Sequence, residues 1–178
     1  MSSTLLAWIA VGILWSVSIA QLLPVTQGVY EDHSYRAGAL RTTSSPKIFA
    51  SRGLATRLIW EETQVNASPA AGRLVNIGLS LIVAALVGLL AWRLGLPAWV
   101  AVGTVLIHPL MVETLAMLSG HGELIAAIGV LIACVSATVP SVWLSVTGVL
   151  LGVSIGLTGK ESAIVGFALA PLIAWTQR

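Results

Sequence analysis

Near-continuous apolar runs divide this chain. They occupy 4–24, 73–94, 97–118, 122–139, 141–158 and 161–176, separated by short Gly, Pro, Ser or charged interruptions and by one long polar segment. A helix needs about 20 apolar residues to cross the hydrocarbon of a bilayer. The pattern therefore predicts an all-α integral membrane protein, with about six transmembrane helices in a single membrane domain over 1–178. No basic residue precedes the first run, and Leu22-Leu23-Pro24 makes a poor small-residue cleavage site. It reads as a retained first span.

The one large extramembrane loop, 25–72, follows that span. Loops this long in compact proteins are usually functional or disordered. Within it Ile48, Phe49, Leu54, Leu58, Ile59 and Trp60 interleave with Arg52, Arg57, Glu61 and Glu62. That alternation predicts a short amphipathic helix on the membrane surface; a solvated cap packed on the helix ends is the alternative.

Composition changes the picture only by making it firmer. The chain is 57% hydrophobic and 9% charged, with a mean hydropathy of +0.94, far from the roughly 25% charged of soluble domains. A net charge of +2 gives no basis for nucleic-acid binding. Cys134 is the single cysteine, so no internal disulfide forms, and no zinc spacing, glycine-rich phosphate loop or nucleophile elbow is present.

Threading six spans gives the molecule two unlike faces. Trp8, Trp92, Trp99, Trp143 and Trp175 fall near the face bearing both termini, as an aromatic belt would. Of the 19 ionisable groups, all but Arg93 and Arg178 fall on or near the other face. Counting Lys and Arg, the positive-inside rule places the large loop in the cytoplasm. The Ala-, Gly- and Trp-rich composition points to a bacterial inner membrane.

Ionisable groups in membrane segments are costly and mark functional sites. The stretch HPLMVETLAMLSGHGE at 108–123 carries His108, Glu113, His121 and Glu123. Together with His33, Lys160 and Glu161 they form a candidate polar cluster joining helix ends, with Lys160 as counter-charge. A neutral imidazole facing into a bundle is also a competent axial ligand for a metal or tetrapyrrole. Gly148, Gly152 and Gly156 recur every fourth residue, a helix-packing stripe that serves either an internal contact or a docking face for another protein.

The residues also resemble a family. SPAAGRLVNIGLSLIVAALVGLLAWRLG, HPLMVETLAMLSGHGE and GKES resemble, in order, the amino-terminal half of the GT-C-fold glycosyltransferases, specifically the transmembrane and tetratricopeptide-repeat O-mannosyltransferases and their bacterial relatives. YEDHSY at 30–35 looks like the acidic site of the family's first outer loop, and His108-Pro109 like its His-Pro at the outer end of the third span. The resemblance implies sugar transfer from a polyprenyl-phosphate carrier on the outer face. It implies Glu31 and Asp32 as catalytic residues, a divalent cation beside them, and a periplasmic large loop, against the charge count. The family's usual arginine in a GRxE-like turn is His121 here, and the family's further spans and helical repeats find no counterpart before Arg178.

Three functions follow as expectations. The first is an accessory or structural subunit of a larger membrane complex, GT-C-derived and catalytically incomplete, whose partners are other membrane subunits and lipids. The second is a split glycosyltransferase acting with a second chain. The third is a cofactor-contacting subunit of a respiratory or photosynthetic complex, using His108 or His121.

Overall fold

The computed structural model describes residues 3–22, 53–65, 69–117 and 120–176. Every regular element among them is a helix. The chain runs α1 (Ser3–Leu22), α2 (Gly53–Val65), α3 (Pro69–Arg93), α4 (Ala98–Ile107), α5 (Pro109–Ala116), α6 (Gly120–Ala137) and α7 (Val142–Leu157). A 3-10 turn (Glu161–Val165) then leads into α8 (Gly166–Thr176).

Two helices, Ala70–Arg93 with 24 residues and Gly120–Ala137 with 18, are long and apolar enough to cross a membrane. Ala98–Ile107, Val142–Leu157 and Glu161–Thr176 are apolar but shorter. The run expected as a continuous third span, 97–118, is broken in two. Pro109 has no backbone N–H and disfavours a helical conformation in the residue before it. His108 is accordingly extended, at φ −66° and ψ 132°, and ends α4. The helix restarts at Pro109 itself, a residue suited to a first helical position.

α3 and α4 form an antiparallel pair through a tight turn. The Gly95 N–H donates to the Trp92 carbonyl at 3.1 Å and the Leu96 N–H to the Ala91 carbonyl at 2.8 Å. This is the Schellman pattern, which needs a left-handed residue, and Gly95 supplies it at φ 73°. Ala84, Val102 and Leu106 then bury together, with Val11 and Trp15 of α1 packed over them.

α6 is the hub. On one side Val83 of α3 meets Leu124 and Ile128. On another, Ala133 and Ala137 pack with Val153 of α7 and Ala170 of α8. The glycine stripe faces inward: a methyl on Gly152 would stand 2.6 Å from the Gly129 carbonyl oxygen, and one on Gly156 would stand 2.6 Å from the Ala163 side chain. The stripe is therefore the α6–α7 contact, and the reading of it as a docking face for another protein is corrected. Lipid tails solvate apolar side chains as well as protein does, so close backbone approach is what holds such helices together.

These packings fix the ends of the bundle. Trp92, Trp99, Trp143 and Trp175 lie at the end of α3, the start of α4, the start of α7 and the end of α8, all at one end. Trp143 is 83% exposed and Trp175 78%. The guanidinium of Arg93 sits over the Trp92 ring, 5.8 Å from its centroid. α2 lies at the opposite, polar end. Its Ala55 and Ile59 are buried, and the Leu54 N–H, one of the orphan donors of a helix start, donates to the Thr158 carbonyl at 3.2 Å.

Candidate functional site

The polar end is built from α5, the starts of α3 and α6, and the turn after α7. Asn76, fully buried in α3, is its centre. Its Nδ2 donates to the carbonyls of Met117 at 2.7 Å, Thr114 at 3.1 Å and Leu115 at 3.4 Å. The last carbonyls of a helix have no partner within it, and α5 has only 8 residues in which to satisfy its ends. Asn76 thus caps a half-helix from outside, 38 to 41 residues away along the chain. Ser80, one turn on, is also fully buried and donates to the Ile77 carbonyl at 2.8 Å.

The two glycines of the GHGE turn have packing reasons. A side chain at Gly120 would run into the Thr114 carbonyl, and one at Gly122 would meet the Gly159 carbonyl oxygen at 3.0 Å. They let the first turn of α6 enter between α5 and the turn after α7. His121 between them is fully buried. His108, at the α4–α5 break, is exposed and lines a groove.

Glu123 and Lys160 form an ion pair across 37 residues, joining the start of α6 to the turn after α7. Of the expected cluster, the structure brings these two together. Glu161 is exposed and opens the 3-10 turn next to Lys160. Glu31, Asp32 and His33, and the side chain of Glu113, lie outside the described residues. Among the described residues no three His, Cys, Asp or Glu side chains gather to hold a metal ion.

Two grooves flank α6 near this pair. One of about 370 Å³ lies between α6 and the broken α4–α5 helix, with His108, Met111 and Thr114 on its far wall. The other, of about 420 Å³, lies between α6, α3 and the 3-10 turn, with Val83, Val87 and Ser162 on its walls. Glu123 and Ala127 line both. Both volumes fall within the roughly 300–1,000 Å³ of ligand pockets. Apolar walls with the Glu123 carboxylate on both, itself paired with Lys160, suit an amphiphile better than a polar substrate.

The sequence reading missed Asn76, a fully buried polar anchor of this end. Its signal was present: a lone Asn in an apolar run is costly in lipid unless it finds partners. No protein family, curated protein or solved structure matches this chain. The likeness to GT-C glycosyltransferases therefore rests on the quoted motifs alone.

Proposed function

We propose that this chain is a multi-pass membrane protein acting as a structural subunit of a larger membrane assembly, contributing surface and not turnover. In this reading six segments cross the bilayer: α1, α3, α4 with α5, α6, α7, and the 3-10 turn with α8. At 1.5 Å per residue the segments Ala70–Arg93 and Gly120–Ala137 extend about 36 and 27 Å, close to the roughly 30 Å of a hydrocarbon core. The tryptophan end then lies at one interface, and α2 lies at the other.

The observation that carries the structural role is how the polar groups are used. Asn76 closes α5 and Glu123 is paired with Lys160. The Leu54 N–H fixes α2 to the turn after α7. Each joins one helix end to another, as a scaffold requires. Outward, α7 exposes Val142, Trp143, Leu144 and Leu151 to lipid or a partner subunit. Descent from a GT-C-like transferase, with loss of catalysis, is part of the proposal and rests on the motifs at 30–35 and 108–123.

The test is isolation of the chain from its own membranes in mild detergent, with identification of co-purifying proteins. A stoichiometric membrane partner is expected. A lone monomer, or transfer of sugar from a polyprenyl-phosphate donor by the isolated chain, overturns the reading. Single cysteines at Trp92, Trp143 and Trp175 should react from one side of the membrane, and one at Arg57 from the other.

A further inference from the structure

We propose that the two grooves flanking α6 hold one phospholipid with an ethanolamine headgroup, one chain in each groove and the head on the Glu123–Lys160 pair. The inference rests on the membrane reading above and deepens it by naming a lipid that the chain selects. The first observation is that the grooves are adjacent. Glu123 and Ala127, one helical turn apart on α6, line both, so the two troughs meet at those residues. Their volumes, about 370 and 420 Å³, are alike. Two apolar troughs that share one carboxylate match a molecule with two chains and one head. Val105, Met111 and Leu124 wall the first trough, and Val87, Val130 and Leu131 the second.

The second observation is charge. Glu123 and Lys160 place a carboxylate and an ammonium side by side, and their side chains are 51% and 35% exposed. A zwitterionic headgroup is complementary to such a pair, its ammonium against Glu123 and its phosphate against Lys160. A primary ammonium donates N–H hydrogen bonds to a carboxylate, which are stronger than neutral ones. A choline head has no N–H to donate. His108 and Thr114 are the polar side chains on the far wall of the first groove.

The full chain is reconstituted into nanodiscs holding ethanolamine and choline phospholipids in equal amounts, extracted in mild detergent, and weighed with its bound lipid by native mass spectrometry. One retained lipid is expected, with ethanolamine favoured over choline by roughly tenfold, the factor that about 1.4 kcal/mol gives. Glu123→Gln should abolish the preference. Ala127→Phe, which obstructs both troughs and leaves the ion pair in place, should abolish retention. Each variant is checked for folding through Cys134, which is buried and stays unreactive to a thiol reagent while α6 is packed.

Equal retention of choline lipid, no retained lipid, or retention by a folded Ala127→Phe overturns the proposal. The membrane reading is tested apart from it by alkaline extraction of the vesicles: wild-type protein that washes off fails both, whereas protein that stays inserted without lipid preference fails only this one. If Glu123→Gln or Ala127→Phe exposes Cys134, the wild-type preference and a Lys160→Gln variant decide the matter.

Discussion

Gly152 of α7 faces Gly129 of α6 so closely that a methyl group on Gly152 would stand 2.6 Å from the Gly129 carbonyl oxygen and 2.6 Å from the Ala133 nitrogen. Both obstacles are backbone, so neither can rotate away. Gly152→Ala should therefore destabilise the bundle by about 1–3 kcal/mol, the usual cost of overpacking, and Gly152→Leu should unfold the α6–α7 pair. Gly78, on α3, has nothing within 4 Å of an added methyl. Gly78→Ala should be neutral or stabilising by up to about 1 kcal/mol, since Ala is the better helix former. Thermal unfolding in detergent measures both; a Gly152→Ala protein as stable as wild type would refute the close approach.

That contrast shows what was legible beforehand. The every-fourth-residue spacing at Gly148, Gly152 and Gly156 gave a stripe, and spacing alone cannot say which helix covers it. The neighbour is identified by Gly129, Ala133 and Ser136 on α6, which carry no matching stripe of their own. The all-helical class was legible because apolar runs this long have little else to form. The break at His108-Pro109 was legible in chemistry and overlooked in length, since 97–118 has the residue count of one span. The Trp end and polar end were legible from alternation of spans. The pairing of Glu123 with Lys160 was legible as a charge balance, and the groove beside it was not, because grooves arise from crossing of helices and leave no local pattern.

The Glu123–Lys160 pair should add little to stability. With both side chains about a third to a half exposed, a double-mutant cycle with Glu123→Gln and Lys160→Gln should give a coupling of about 1 kcal/mol or less. The coupling should shrink as salt is raised, because exposed pairs are screened. A salt-independent coupling well above that size would place the pair in a dry environment and weaken its role as a headgroup site.

α2 should detach without unfolding the rest. Among its described residues Ala55 and Ile59 are buried, and the Leu54 N–H links its start to the Thr158 carbonyl at 3.2 Å. Ile59→Asp puts a carboxylate into that face, and an unpaired buried charge is costly enough that undocking is the cheaper outcome. Hydrogen exchange should lose protection over 53–65 while protection over 120–137 persists. Loss of both together would make α2 part of the core and not a cap upon it.

Asn76 offers the sharpest test of the polar end, because two nearly isosteric replacements separate its volume from its chemistry. The amide nitrogen donates to three carbonyls around the end of α5, while Oδ1 accepts no hydrogen bond. The side chain acts here as a donor. Asn76→Leu keeps bulk and removes both N–H groups, so the carbonyls around the end of α5 lose the bonds that Asn76 donates. Each lost bond costs about 0.5–1.5 kcal/mol, nearer the average of about 0.6 kcal/mol measured in membrane proteins. A loss of about 1–3 kcal/mol is expected in all. Asn76→Asp keeps size but replaces the donors with oxygen, so that a carboxylate faces three carbonyl oxygens. It should be worse than Asn76→Leu at neutral pH and recover as the pH falls, because the protonated acid regains one O–H donor. The ionised form, facing carbonyl oxygens, is the one disfavoured in the folded state, so stability is lost as pH rises. Unfolding midpoints of the two variants across pH decide it. An Asn76→Asp protein as stable as wild type at neutral pH would show that the amide nitrogen does not close the end of α5.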